Sequence, residues 1–276
     1  MPAATGGEQA TRGSVELRVG AFRVKIVSEF PCGPVCSRAI TPFARELVGQ
    51  ILSEAVREAE RAGRSVSCKA GCGACCRQAV PIGADEAQQL RELVDSMPEE
   101  RRSRVKARFA QAMEAVRSAG LLDEGMALGA AQAPIQLAHD EPRRLEWGLK
   151  YFDLGIACPF LEDESCSIHP QRPLICREFL VTSPAERCRT PAVEGIQTIA
   201  LPGSVSRAFR DLRPFASGAR WIPLIAALEV MQTEPAQTEA KLAGQWIGQM
   251  RDSLAEARSA GASGSPAMHA AATPRP

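Results

Sequence analysis

Aromatic residues are scarce in this sequence of 276 residues: they make up 5% of it and include a single tyrosine, Tyr151. Base stacking needs aromatic rings, so a nucleic-acid-binding surface is hard to build from this composition. Basic and acidic residues nearly cancel, at 33 and 32, which leaves a formal net charge of +1. A balanced charge gives no electrostatic basis for binding nucleic acid or an anionic membrane surface. We therefore expect neither partner.

Long hydrophobic runs are also missing. A membrane-spanning helix needs an apolar stretch of about 18 residues or more, and the sequence has no such run. Residues 1–20 lack the basic segment and apolar stretch of a secretory signal. These absences predict a cytoplasmic protein in a reducing compartment.

Histidine is also scarce, with only His139, His169 and His269. Most acid–base schemes use histidine as the natural base, so few such schemes are available. The sequence also lacks a glycine-rich phosphate loop, an HExxH motif and a Ser/His/Asp set. Whether the protein is an enzyme stays open on this basis.

Cysteine, in contrast, is abundant, with ten residues. Cytosolic thiols are kept reduced, and a chain of this length does not need disulfides to fold. Clustered cysteines in such a protein indicate a metal site or an iron–sulfur cluster.

The patterning predicts a mainly α-helical single domain over residues 14–258, with an N-terminal β-hairpin and an irregular cysteine-rich metal-binding layer. Apolar and charged residues alternate over 15–27 around Gly20, which is typical of a hairpin. Small and polar residues at 1–13 and 259–276 predict disordered ends.

Helices are predicted where apolar residues recur every four positions, as at Phe43, Leu47, Ile51 and Ala55. The predicted helices are 37–62, 84–96, 98–119, 141–152 and, in the C-terminal part 203–258, 203–213, 219–232 and 236–258. Residues 120–140 are weakly patterned and predict a connecting loop.

The first cysteine group is Cys68, Cys72, Cys75 and Cys76. Thiolates separated by three and two residues converge on one point when the backbone turns sharply, and the glycines between them permit such turns. Adjacent side chains diverge in most backbone conformations. The pair Cys75-Cys76 therefore serves two sites, or one of its members is not a ligand.

The second cysteine group is Cys158, Cys166, Cys176 and Cys188. Zinc and iron–sulfur clusters both commonly take four protein ligands, so the eight cysteines suffice for two four-coordinate sites. Four thiolates leave a net negative charge at the metal, and a nearby cation lowers the cost of burying it. Arg172 and Arg177 are the candidates for this cofactor-binding role.

Several neighbouring residues stay open as ligands. Cys32 and Cys36 can add ligands, form a redox pair or be packed thiols. His169 can replace a thiolate, although the cysteines already supply enough donors. The carboxylates Glu162, Asp163 and Glu164 can be oxygen ligands for iron, but their position also fits a solvated polar turn.

Over about residues 65–180 these elements together resemble one bacterial family. Seven cysteines, the turn Cys158-Pro-Phe-Leu and the element Arg172-Pro…Cys176-Arg177 appear in the order found in the YkgJ-like cysteine-cluster family of zinc- or iron-chelating proteins. Some members are labelled iron–sulfur proteins. The resemblance implies one metal site made by both groups, from Cys68, Cys72, Cys75, Cys76, Cys158, Cys166 and Cys176, holding zinc, iron or a [4Fe–4S] cluster. Family members often have tyrosine at the position of His169.

Three other functions fit the same residues. The spacing Cys68-x₃-Cys72-x₂-Cys75 is that of a radical-SAM enzyme, although Ala74 stands where an aromatic residue is usual. The cysteine cluster is also similar to that of a branch of this family that methylates lysine, so a SAM-linked methyltransferase is the second alternative. The third is a protein-interaction module in which zinc only holds the loop-rich segment together, and the C-terminal helices bind an unidentified protein.

Overall fold

The computed structural model describes residues 10–130, 137–190 and 195–259, and the chain is helix-rich over these ranges, as predicted. Strands β1 (Ala10–Val19) and β2 (Phe22–Pro31) pair as an antiparallel hairpin. Gly20 begins its two-residue turn with a φ of +64°, which glycine adopts without steric cost. Alternate apolar side chains are buried on one face: Leu17, Val19, Val24 and Ile26.

The hairpin is longer than the predicted 15–27. Ala10–Gly13, predicted as part of a disordered N-terminus, belong to β1, and residues 1–9 lie outside the described ranges. Strand β3 (Pro34–Val35) and a 3₁₀ turn (Ser37–Ile40) follow and lead into helix α1 (Thr41–Arg61).

Helix α1 buries the residues whose spacing predicts it: Phe43, Leu47, Ile51 and Ala55. The cysteine-bearing loop follows, and strand β4 (Pro81–Ile82) leads to helices α2 (Ala84–Asp95) and α3 (Glu99–Ser118). These two helices are close to the predicted 84–96 and 98–119.

The loop predicted for 120–140 is wrong at its start, because Leu122–Ala130 form helix α4. The helix is stabilised by tertiary contacts that weak patterning does not reveal: the indole of Trp147 lies against Gly125 and donates to the Leu121 carbonyl at 2.9 Å. Residues 131–136 lie outside the described ranges. Helix α5 (Leu137–Asp153) begins earlier than the predicted 141.

The rest of the chain contains short elements and one long helix. These are β5 (Leu161–Glu162), β6 (Ser165–Cys166), α6 (Leu174–Glu178), α7 (Val205–Arg210), β7 (Ile222–Pro223), α8 (Ala227–Thr233), β8 (Lys241–Leu242) and α9 (Ala243–Ser259). Strand β3 pairs with β8 and β4 with β7, so C-terminal residues cover the N-terminal half. Helices α7, α8 and α9 begin later than the predicted helices 203–213, 219–232 and 236–258. Residues 260–276 lie outside the described ranges.

Two hydrophobic cores lie on either side of the second cysteine segment. Phe160 and Ile168 belong to the core formed largely by α2, α3, α5 and α8. Leu174 belongs to the core of the hairpin, α1, α7 and α9. The segment is therefore anchored in both cores by buried side chains. Among the described helices, none combines the length and apolar character needed to cross a membrane.

Candidate metal centre

The loop 67–78 carries the first cysteine group on a series of tight turns. The Cys72 amide donates to the Lys69 carbonyl at 3.1 Å, and the Cys76 amide donates to the Gly73 carbonyl at 3.0 Å. Gly71 has a φ of +80°, so the first of these turns requires a residue that tolerates the left-handed region. The turns bring the cysteines close in space without any strand or helix.

Gly73 is the point where this loop meets the β5–β6 hairpin. A Cβ added there would lie 2.6 Å from Leu161 Cδ1 and 2.8 Å from the Glu164 carbonyl oxygen. The backbone oxygen cannot turn aside, so only glycine permits this approach.

Gly73→Ala is therefore expected to separate the loop from the hairpin and destabilise the protein by about 1–3 kcal/mol, as overpacking does. Urea unfolding measures the change. Gly49→Ala is the matched control, because a Cβ at this helical position meets no atom within 4 Å. Equal stability of Gly73→Ala and wild type would contradict the close approach.

The β5–β6 hairpin is tied to its surroundings by two carboxylates, Glu162 and Glu164. Its turn residues Asp163 and Glu164 have φ values of +47° and +56°, which are uncommon for residues other than glycine. Arg77 pairs with Glu164 at 2.7 Å and Arg189 does so at 3.1 Å. Glu162 pairs with Arg108 at 3.1 Å. Glu162 and Glu164 thus act as ion-pair partners in a polar turn.

Backbone contacts join the two cysteine groups directly. The Cys158 amide donates to the Cys76 carbonyl at 2.7 Å. Two residues later Phe160 is buried and packs edge-on against Phe109, with ring centroids 5.4 Å apart. The start of the second group is therefore fixed both to the first group and to the core.

The segment after Cys176 returns to the start of the loop. The Ser67 amide donates to the Val181 carbonyl at 2.9 Å, and the Val181 amide donates to Cys68 Sγ at 3.4 Å. Cys188 is buried in a small cluster with Ala74 and Val181. Three further cysteines pack against this cluster: Cys68, Cys72 and Cys75.

Electrostatic effects identify Cys75 as the centre of the cysteine set. Burial is the largest cause that raises the pKa of five other cysteines, and the charge of a Cys75 thiolate raises each further: Cys68, Cys158, Cys166, Cys176 and Cys188. A like charge acts in this way only from nearby. Cysteines of both groups therefore lie around Cys75.

Burial favours the protonated form of these thiols over the thiolate. Burial raises the pKa of Cys158 and of Cys188 to about 12. A hydrogen bond with Cys76, together with burial, raises the pKa of Cys75. The adjacent thiols of Cys75 and Cys76 thus approach each other rather than diverge. Because metal ligation needs thiolates, metal binding must release protons here.

Arg172 provides positive charge within the cysteine set. Its guanidinium acts against the rise in the pKa of three thiols: Cys68, Cys75 and Cys166. Its Nε is buried and has no hydrogen-bond partner within the described part of the chain. An unpaired buried N–H costs about 1–3 kcal/mol, so an acceptor at this position would be stabilising.

Arg177 has a different environment. Its Nε donates to the Arg172 carbonyl at 3.3 Å, and another nitrogen donates to the Pro170 carbonyl. Burial lowers its pKa, and the charge of Cys176 and Cys166 acts in the opposite direction. Arg177 therefore braces the backbone around Arg172 while it lies within electrostatic reach of two cysteines.

The remaining candidate residues lie in other surroundings. His169 is exposed, and its pKa is lowered chiefly by the positive charge of Arg172. Cys32 is exposed, and its sulfur lies 3.0 Å from the Thr11 hydroxyl. Cys36 contacts Arg38, and this contact stabilises the charged form of the guanidinium. Each of these three residues has a partner or a position explained without metal.

The types of side chain at this site suit a metal, but the side chains are not already arranged around one. Thiolates are the soft donors that zinc and iron–sulfur clusters prefer, and the unpaired Nε of Arg172 suits a bound sulfur. In the ranges 10–130, 137–190 and 195–259, no three His, Cys, Asp or Glu side chains are arranged to hold a metal ion. Metal binding by these thiols would require their side chains to rotate inward.

Comparison with known proteins identifies the segment that holds both cysteine groups. Residues 67–194 match the family model CxxCxxCC, which is described as a "putative zinc- or iron-chelating domain". Residues 67–194 are therefore similar to the domains of this cysteine-cluster family. The predicted resemblance is confirmed, and the matched segment continues past residue 180 to include Cys188. No curated protein and no solved structure matches the chain.

Several supporting residues are not evident from the sequence. Arg77, Arg108 and Arg189 are ordinary-looking arginines whose partners lie far along the chain. Burial raises the pKa of Tyr151, and the charge of Cys158 adds to this effect, so α5 also borders the cysteine set. Only Arg77, directly after Cys76, has a sequence position that could have indicated its role.

Proposed function

We propose that the protein binds zinc or iron in one centre to which both cysteine groups contribute. The ligands in this proposal are Cys68, Cys72, Cys75, Cys158, Cys166 and Cys176, with Cys76 and Cys188 as further candidates. Two contacts between the groups support this proposal most directly: the Cys158 amide donates to the Cys76 carbonyl at 2.7 Å, and Cys68, Cys72 and Cys75 pack against the cluster that contains Cys188. The family of residues 67–194 supplies the class of ligand, a zinc or iron species.

The number of thiols favours a centre with more than one metal ion. A single zinc ion takes four ligands, and Cys75 influences five other cysteines besides its contact with Cys76. A [4Fe–4S] cluster or a pair of zinc ions accommodates such a set better than one ion. A bound cluster supplies electron transfer, whereas bound zinc supplies structural cross-linking.

The rival enzyme function has less support. A radical-SAM enzyme carries its cysteine motif at the start of a βα barrel. In the described residues that follow α2, the strands are each two residues long, so they do not form such a barrel.

Anaerobic purification followed by zinc, iron and sulfide analysis tests the proposal. We expect more than one metal ion per chain, with broad visible absorbance when iron and sulfide are present. Colourless protein with zinc alone would identify the zinc form. A fully folded protein that holds no metal, even after anaerobic incubation with either metal, would overturn the proposal.

Arg172→Gln is expected to weaken metal binding by roughly 10- to 100-fold, as loss of a group that supports metal ligands does. Arg172→Lys should retain part of the affinity because it keeps the charge but not the Nε donor. Competition with a coloured chelator measures both. Arg104→Gln is the control, because Arg104 pairs with Glu100 on the exposed face of α3. Equal affinities of Arg172→Gln and wild type would contradict a role for Arg172.

A further inference from the structure

Three of the four tyrosine and tryptophan rings of this chain lie together. The sequence has one tyrosine and three tryptophans. Trp147 and Tyr151 are four residues apart on one face of α5, and their ring centroids lie 5.6 Å apart. Trp221, directly before β7, has its ring centroid 6.3 Å from that of Trp147. Aromatic rings in contact have centroids about 4.5–7 Å apart. Tyr151, Trp147 and Trp221 therefore form a continuous file of rings, which we call the aromatic relay.

The outer end of the aromatic relay reaches the surface. Trp221 is partly exposed, whereas Trp147 and Tyr151 are each only 3% exposed. The third tryptophan, Trp246, is fully buried in the other core, where its indole nitrogen donates to the Val35 carbonyl at 2.8 Å. Trp221 is therefore the tryptophan that a solute meets first.

The inner end of the aromatic relay borders the cysteine set. The chain turns back after α5: the Leu154 amide donates to the Tyr151 carbonyl at 3.2 Å, and Gly155 has a φ of +64°. Cys158 then packs against the core that contains Tyr151. The charge of Cys158 adds to the rise in the pKa of Tyr151, as a nearby sulfur does. The phenol therefore lies between the indoles and the cysteines.

The order of groups along the aromatic relay favours electron transfer in one direction. Indoles, phenols and thiols are the side chains that most readily lose one electron, and at neutral pH the ease of loss increases in that order. From the surface inward the relay runs indole, indole, phenol and thiol, so an electron vacancy moves inward downhill. The Trp147 N–H donates to the Leu121 carbonyl at 2.9 Å, which is too weak a base to take the proton. Oxidised Trp147 therefore keeps its proton and stays strongly oxidising toward Tyr151.

We propose that the aromatic relay lets a radical-type one-electron oxidant at Trp221 oxidise the clustered cysteines. The oxidant takes an electron from Trp221, which is refilled through Trp147 from Tyr151. Tyr151 releases its phenolic proton to solvent, and a hydrogen atom from the Cys158 thiol then restores the phenol. Two such transfers convert two clustered thiols into one disulfide, with two electrons passed to two oxidant molecules and two protons released. The inference uses the thiols themselves and does not depend on the metal proposal.

Pulse radiolysis of the full chain with azide radicals tests the aromatic relay, because these radicals oxidise an accessible indole. The absorbance of the indolyl radical should decay with the first-order rate constant at which phenoxyl absorbance rises. Tyr151 is the single tyrosine, so the phenoxyl signal has one source. Cys158→Ser should lengthen the life of that phenoxyl radical at least tenfold, and Cys32→Ser should not. Absence of the phenoxyl signal from both wild type and Cys158→Ser would overturn the inference.

Two tryptophan variants test the route. Trp221→Phe removes the entry point and Trp147→Phe removes the middle indole, while each keeps a ring in place. Each should lower the phenoxyl yield at least threefold in protein that is folded by circular dichroism. Trp246→Phe is the matched control and should leave the yield unchanged, because this indole lies in the other core. A wild-type yield from Trp221→Phe would refute the route, and this partly exposed position decides if Trp147→Phe fails to fold.

The loss of free thiols measures the inner end of the aromatic relay. A Cys32→Ser background removes the one cysteine that is exposed. A measured dose of azide radicals should then remove thiols, and either Trp221→Phe or Tyr151→Phe should lower that loss at least threefold. Equal thiol loss with and without the Tyr151 hydroxyl would show that the oxidant reaches the cysteines by another route. Metal analysis of the same samples reports on the cysteine centre independently.

Discussion

Substitution of Cys75 by serine is expected to empty the metal centre, with a larger effect than the roughly 10- to 100-fold loss in affinity that follows removal of a supporting group. Cys75 lies within electrostatic reach of five cysteines drawn from both groups, so its loss should disturb the whole set. Serine is nearly isosteric but is a poor ligand for a soft site. Metal content per chain after anaerobic purification measures the effect.

Cys32→Ser is the matched control for this substitution. Cys32 is an exposed thiol next to Thr11 on the N-terminal hairpin, and its loss should leave the metal content unchanged. A Cys75→Ser protein that retains wild-type metal content would exclude Cys75 from the centre.

Removal of the metal by a chelator is expected to lower the free energy of unfolding by at least about 4 kcal/mol, the contribution of a ligand at 1,000 times its dissociation constant. The segment that holds the cysteines has little regular structure of its own. Its strands are two residues long and α6 has five residues, so few backbone ladders stabilise it. Bound metal should supply the missing constraint. Urea unfolding under reducing conditions measures the difference.

The Cys75→Ser variant is the control for chelation, since a protein without metal should not respond to the chelator. Addition of the original metal to the stripped wild type should restore stability. Identical unfolding curves for loaded and stripped wild type would show that the centre contributes nothing to the fold.

The sequence predicts the parts of this protein that depend on local pattern. Helix α1 follows from the four-residue spacing of Phe43, Leu47 and Ile51, because one face of a helix repeats at that interval. Glycines between the cysteines predict the turns of the first loop, and Gly71 has the expected positive φ. The family resemblance depends on cysteine order and is confirmed for residues 67–194.

Other features depend on contacts between distant residues and so leave little trace in the sequence. Helix α4 is stabilised through Trp147, which packs on it from α5. The strained residue Glu164 is held by Arg77 and Arg189, which lie on opposite sides of it in the sequence. In the sequence, Glu164 is a candidate iron ligand only because it lies between Cys158 and Cys166. The sequence also gives no sign that Glu86 is buried with one oxygen unpaired, because the amide that binds its other oxygen belongs to Leu174, 88 positions away.

The metal content of Cys158→Ser, compared with that of Cys75→Ser, tests the central proposal most directly. If both cysteine groups build one centre, loss of Cys158 from the second group should remove the metal as fully as loss of Cys75 from the first. The joining contact, from the Cys158 amide to the Cys76 carbonyl, is a backbone bond that serine preserves. A Cys158→Ser protein that keeps its full complement of metal would contradict a shared centre.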